Sequence, residues 1–185
     1  MQLISKEASR LSAIKIAEIL PNGDIKILRH IYFKCTGCAQ CCKDNYIPVT
    51  EEDLEILTSN GYEIDQILED LSPVLIPKGD NQYFKAYLLR KKPFINECIF
   101  LDTDNACKVH SFKPMSCKIY PFAIKEEDNR VFITIHPSNV CKYIELDVKE
   151  EDSNTIEVVK EILFHIRQRE DFKLKKLNKR VSTGD

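Results

Sequence analysis

CTGCAQCC, residues 35–42, places four of the chain's eight cysteines within eight positions. A packed apolar core has no use for thiols at that density. Short C-x2-C steps let two thiolates reach one metal from a tight turn, and Gly37 supplies the backbone freedom such a turn uses. The other four follow at wider intervals, so the candidate metal ligands are Cys35, Cys38, Cys41, Cys42, Cys98, Cys107, Cys117 and Cys141. A zinc ribbon needs a second C-x2-C knuckle, and none is present, although a hairpin carrying Cys98 and Cys107 can take its place. Three cysteines at successive x2 steps also begin the bacterial ferredoxin run, in which each thiolate takes its own iron corner. Here Cys42 stands where the later fourth cysteine would be. Adjacent side chains generally point apart, so Cys41 and Cys42 are not expected to serve one ion equally, and distant cysteines have to complete the shell. The spacing leaves open one cluster with spare thiols or two separate sites.

The alternative use of eight cysteines is a disulfide framework, which needs an oxidising compartment. The opening MQLISKEASRLSAIKIAEIL alternates charged and apolar residues, whereas an export signal needs an unbroken apolar centre. A reducing, cytoplasmic location and a metal site are therefore expected. With 43% apolar residues in 185, the chain can bury one sizeable core. Its 27 basic and 29 acidic side chains leave a net charge of −2, which gives no broad case for nucleic acid or an anionic membrane. No apolar run reaches the ~18–20 residues of a spanning helix. A soluble protein is expected, whose partner or substrate is an unidentified protein.

Four segments follow from local pattern: an N-terminal helical segment over 1–23, a cysteine-cluster metal-binding domain over 24–150, a C-terminal helix over 151–171 packed on that domain, and a basic, flexible tail over 172–185. Apolar residues at Ile4, Ala8, Leu11 and Ile14 predict the first helix over 4–20, closed by Pro21-Asn22-Gly23. Ile25, Ile27 and Ile31 read as strand. Thr50-Glu-Glu-Asp53 resembles a capping box opening a helix over 51–60, with a second short helix over 64–71. Pro73, Pro77 and Gly79 mark a loop before a strand over 83–89. Residues 98–107 read as a hairpin; with its turn between Asp102 and Thr103, Cys98 and Cys107 stand opposite each other. A second hairpin is expected from 119–124 and 131–136, turning through 126–129. Glu157 lies three residues after the candidate cap Asn154, and Ile156, Val159, Leu163 and Ile166 form a helical stripe. KLKKLNKR, residues 173–180, reads as a solvated helix end. The fold class is α+β: a small single domain with short flanking helices, two hairpins and a cysteine-ligated metal site in place of part of the core.

Lys34, Lys43, Lys108, Lys118 and Lys142 each adjoin a cysteine, and a nearby ammonium group favours the thiolate form that ligation needs. Pro114 and Pro121 bracket Cys117 and are expected to hold its segment in a fixed turn. His110 and His136 lie near cysteines but read as structural. No Ser/His/Asp set, P-loop or dinucleotide-binding fingerprint is present.

These motifs together resemble the CxxCxxCC cysteine-cluster family, the YkgJ-like zinc- or iron-chelating domains. The matching residues are Phe33, Cys35-Thr-Gly-Cys38-Ala-Gln-Cys41-Cys42, Cys98-Ile-Phe-Leu, Cys107-Lys-Val-His110, Lys113-Pro114-x2-Cys117-Lys-Ile-Tyr-Pro121-Phe122 and Cys141. The family pattern usually has tyrosine where His110 stands and arginine where Lys113 and Lys118 stand, so roles needing a phenol or a forked guanidinium are weakened. The resemblance implies a metal-binding domain using zinc or iron. Similar cysteine patterns occur in flagellin lysine N-methylases, which implies an S-adenosylmethionine-dependent reaction as one extension; no methyl-donor site is recognisable here.

Three functions fit these residues. The first is an iron–sulfur cluster protein, redox or structural in role. The second is a structural zinc scaffold. The third is an enzyme, such as a protein N-methylase-like protein, in which a cysteine reacts; Cys42, the thiol hardest to fit into a shell, is then the candidate.

Overall fold

A computed structural model describes residues 13–79, 82–135 and 141–181. Its chain order is β1 (Ile14–Ile19), β2 (Ile25–Ile27), β3 (Ile31–Phe33), α1 (Gln40–Asp44), β4 (Pro48–Val49), α2 (Glu51–Ser59), α3 (Ile64–Ile67), β5 (Val74–Gly79), β6 (Gln82–Leu88), α4 (Met115–Ile119), β7 (Phe122–Glu127), β8 (Arg130–Ile135), β9 (Ile144–Leu146) and α5 (Thr155–Val181). The mixture is α+β, as expected.

The helix expected over 4–20 is corrected where it can be seen: 14–19 is a strand, and 1–12 lie outside the described residues. Ile14, Ile16 and Ile19 are β-branched and favour an extended backbone. Pairing on both sides then decides the matter, because β1 runs antiparallel between β2 and β8 in a sheet ordered β2-β1-β8-β7. The expected hairpin forms with shifted bounds: 119 belongs to α4, β7 begins at Phe122, and Glu126 and Glu127, expected in the turn, pair with Val131 and Arg130. Its two-residue loop, Asp128-Asn129, has both φ angles positive, at 49° and 59°, the turn whose twist matches the flanking strands. His136 lies outside the described residues.

α5 covers this sheet. Val158, Val159 and Ile162 pack with Ile16, Ala17, Ile133, Ile135 and the β3–β9 residues Ile31 and Ile144 to form one core. Of the expected stripe, Val159 is fully buried and Leu163 and Ile166 pack on this core, with Val158 and Ile162 beside them, while Ile156 is half-exposed. The reciprocal cap expected of Asn154 is not made. Its amide instead pairs with both backbone groups of Phe33, at 2.9 and 2.8 Å, and Thr155 Oγ1 accepts the Ile31 N–H at 2.8 Å. The helix start thereby closes the open edge of β3. The helix continues through Val181, past the boundary expected at 171; 182–185 lie outside the described residues.

A second core gathers Ile47, Val49, Leu54, Leu57, Ile67, Leu68, Leu89, Phe100, Leu101 and Val109. α2 starts at the expected capping box, with Thr50 and Asp53 bonding each other's backbone reciprocally. α3 ends at Ile67 because Leu68 turns extended to bridge Leu89. The loop expected over 73–79 is corrected: Val74–Gly79 pairs with β6 in a sheet ordered β4-β6-β5. Pro77 is tolerated because β5 is the edge strand and a bulge falls between Pro77 and Gly79.

Candidate metal centre

The CTGCAQCC stretch leaves β3 and folds back through two left-handed residues, Gly37 at φ 67° and Ala39 at φ 59°. No atom lies within 4 Å of where a Gly37 Cβ would stand, so the turn itself is what calls for glycine there. Ala39 then caps α1, which carries Cys41 and Cys42. The chain next returns at Cys98, whose N–H donates to the Cys42 carbonyl at 2.8 Å. That single bond joins two cysteine segments separated by more than fifty residues.

The expected pairing of Cys98 with Cys107 does not form. Leu101 bridges Cys107, and Cys98 bridges Lys91. The reason is a longer turn: the Asp102 N–H donates to Ala106, the Asp104 N–H is taken by the Asp102 side chain, and Asn105 sits at φ 58°. Cys98 is buried at 4% exposure, with Cys42, Cys107 and Cys117 packed against the same core. Cys117 is the third residue of α4, which Pro114 caps.

Five thiols are thereby brought into one another's field. The interaction between the adjacent Cys41 and Cys42 thiols holds Cys41 below its ordinary value and drives Cys42 far above it, with burial and the charges of Cys98 and Cys117 adding to the rise. This corrects the expectation that neighbouring thiols diverge. In a helix successive side chains are about 100° apart rather than the 180° of a strand, so two adjacent thiols can meet. Burial raises Cys98, with Cys107 adding to it. Burial pushes Cys117 up to about 12, reinforced by Cys98, Cys107 and Cys41.

The other three candidates stand apart. Cys35 and Cys38 are exposed on the turn before α1, and Cys141 packs against the α5-side core. Burial raises the Tyr120 phenol, and both Cys41 and Cys141 add to the rise. His110 is exposed in a short 3-10 turn. All eight cysteines are free thiols. Among the described residues, no three His, Cys, Asp or Glu side chains stand in a ready-made ligating arrangement.

The donor chemistry nevertheless fits a metal. Thiols that mutually oppose ionisation are relieved by a cation, which needs them all as thiolates. The cations acting most on these thiols are not sequence neighbours. Lys113 lowers Cys41, and Lys91 lowers Cys98. Lys91 Nζ also donates to the Lys43 carbonyl at 2.9 Å, at the end of α1. Lys113 was legible only as a motif position, and Lys91 carried no local signal. Of the flanking lysines, Lys43 faces Glu97 at 3.7 Å and Lys142 lies over Tyr143.

No described helix is long and apolar enough to cross a membrane. No curated protein and no solved structure matches the chain. The profile of the CxxCxxCC family, described as "Putative zinc- or iron-chelating domain", matches residues 34–142, a span that takes in all eight cysteines. The chain therefore belongs to the CxxCxxCC family, whose property is the binding of zinc or iron.

Proposed function

We propose that this chain holds an iron–sulfur cluster, in a redox or structural role, on thiolates drawn from the 41–42, 98–107 and 117 segments. The observation carrying this reading is the crowding of Cys42, Cys98, Cys107 and Cys117 against one core, with Cys41 beside Cys42 on α1. A single structural zinc takes four donors. The chain places five thiols together and two more, Cys35 and Cys38, at x2 steps on the adjoining turn. That surplus suits a cluster, whose several irons each take a thiolate and draw ligands from separate segments.

When bound, such a cluster supplies one-electron chemistry and a covalent tie across the core. The chain's own residues do the rest. α1 and the Cys98 N–H hold two ligand segments together, Lys91 and Lys113 offset thiolate charge, and the surrounding apolar side chains limit water at Cys98 and Cys117.

The test is anaerobic purification followed by absorption spectroscopy with iron, sulfide and zinc analysis. A band near ~400 nm that bleaches with dithionite, with matching iron and sulfide, supports the proposal. A colourless protein carrying about one or two zinc ions refutes it and supports a zinc scaffold. Cys98→Ser and Cys117→Ser are expected to lose the metal together with stability.

A further inference from the structure

Asp53, on α2, is 4% exposed. Its Oδ2 accepts the Thr50 N–H at 3.0 Å, closing the cap of its own helix. Its Oδ1 accepts a second backbone N–H at 3.0 Å, from Met115, which is 62 residues further along the chain. Met115 is the first residue of α4, the helix that carries Cys117. A five-residue helix has too little internal hydrogen bonding to set its own orientation. External contacts set it here: Asp53 takes the first N–H, and Ser116 Oγ donates to the Pro48 carbonyl at 2.7 Å.

The carboxylate is held in turn from α5. Arg169, with a side chain 16% exposed, places Nη2 at 3.2 Å from Asp53 Oδ1 and 3.4 Å from Glu52 Oε2, and donates to Thr50 Oγ1. Capping α2 requires only Oδ2. The second oxygen is spent on a different helix, and the guanidinium holds that oxygen from α5 while also bonding Glu52 and Thr50 at the α2 cap.

We propose that Asp53, oriented by Arg169, is a positioning residue for the thiol centre, fixing Cys117 against Cys41, Cys98 and Cys107. The inference rests on the metal-binding reading above. It makes the long α5 part of the centre's support, so a change on that helix alters metal binding without touching a cysteine. Partners that orient a ligand from outside typically contribute about 10–100-fold in metal affinity.

The experiment is cobalt(II) titration of the full, reduced chain, comparing wild type with Cys117→Ser, Asp53→Asn, Arg169→Gln and Arg169→Lys. Thiolate-to-cobalt charge-transfer absorption reports the thiolates engaged, competition with a chelator gives affinity, and thermal unfolding of the metal-free variants gives stability. Asp53→Asn can satisfy only one of the two N–H groups, and Arg169→Gln leaves Asp53 in place should the former fail to fold. Both are expected to weaken cobalt binding about 10–100-fold and to lose charge-transfer intensity as Cys117→Ser does, with Arg169→Lys recovering part of it. Wild-type affinity and spectrum in both variants overturn the positioning role, even if their unfolding midpoints fall, and leave the metal reading standing. Absence of a charge-transfer band in the wild type overturns the metal reading, and this inference with it.

Discussion

Replacing Thr155 with valine removes one oxygen and keeps the shape of the side chain, which removes one of the bonds fastening the start of α5 to β3, together with the hydroxyl's contact at 2.7 Å to Ser153 Oγ, and leaves the Asn154 pair with Phe33 in place. Thr155 is 2% exposed, and its Oγ1 accepts the Ile31 N–H at 2.8 Å. The Ile31 carbonyl keeps the Asn154 N–H at 3.1 Å, so its longer contact with Thr155, at 3.3 Å, matters less. In Thr155→Val the Ile31 N–H is left unpaired inside the core, at a cost of about 1–3 kcal/mol. A mid-range loss of about 2 kcal/mol lowers the thermal midpoint by roughly 4–8 °C in a chain of this size. Thr155→Ser keeps the oxygen and loses one methyl, at a cost of about 0.8 kcal/mol. The valine variant is therefore expected to be less stable than the serine variant, although it buries more carbon. Urea unfolding of the metal-free protein at pH 7 measures both. A Thr155→Val stability within about 0.5 kcal/mol of wild type refutes the claim that the helix start acts as a pairing edge for β3.

Three further outcomes are expected. Cys42, Cys98 and Cys117 are held above their ordinary thiol values, so their contribution to stability is complete below the unfolded thiol pKa of about 8.5 and is lost as pH rises through that value towards the folded one. The urea midpoint of the metal-free protein should fall between about pH 8 and 10, less so in Cys117→Ser, and metal uptake near pH 7 should release protons to an indicator dye. Arg130 grips Glu18 through two bonds of 2.6 Å and holds its carboxyl below the ordinary value. That stabilisation is present above the unfolded carboxyl pKa and disappears as pH falls through the folded one, so Arg130→Gln should raise the Glu18 midpoint in carbon-13 NMR and flatten the acid limb of stability. At the β7–β8 turn, Asn129→Gly should hold or raise the thermal midpoint, whereas Asn129→Val should cost about 1–2 kcal/mol for forcing a β-branched residue to positive φ.

Elements specified by adjacent residues were legible in the sequence. The capping box at Thr50–Asp53 and the β7–β8 hairpin depend on short-range chemistry; the box formed where expected and the hairpin with shifted bounds. Those decided by distant partners were not. Helical spacing at 4–14 pointed one way for 14–19, but β8 pairs with that segment from more than a hundred residues away and makes it a strand. Pro77 reads as a strand breaker until it is known that its strand lies at an edge. Opposing Cys98 to Cys107 required a tight turn at Asp102, and the Asp102 side chain instead closed a longer one.

The candidate site divides along the same line. Every thiol was visible, because cysteine is rare enough for its spacing to stand out. What gathers five of them was not. The N–H of Cys98 meeting the Cys42 carbonyl, Lys91 at the end of α1, and Asp53 reaching Met115 are contacts between segments with no shared pattern. Each spends a backbone group or a common charged residue, which looks in sequence like any surface position. The site is therefore an outcome of the second core rather than of the CTGCAQCC motif alone. The motif contributes Cys41 and Cys42, and the packing of Phe100, Leu101 and Val109 brings Cys98 and Cys107 to them. A variant that loosens this core, such as Phe100→Ala, should accordingly weaken metal binding while leaving all eight thiols intact, at a stability cost of about 3–5 kcal/mol. Unchanged cobalt affinity in a folded Phe100→Ala protein would place the centre's organisation in the cysteine segments themselves.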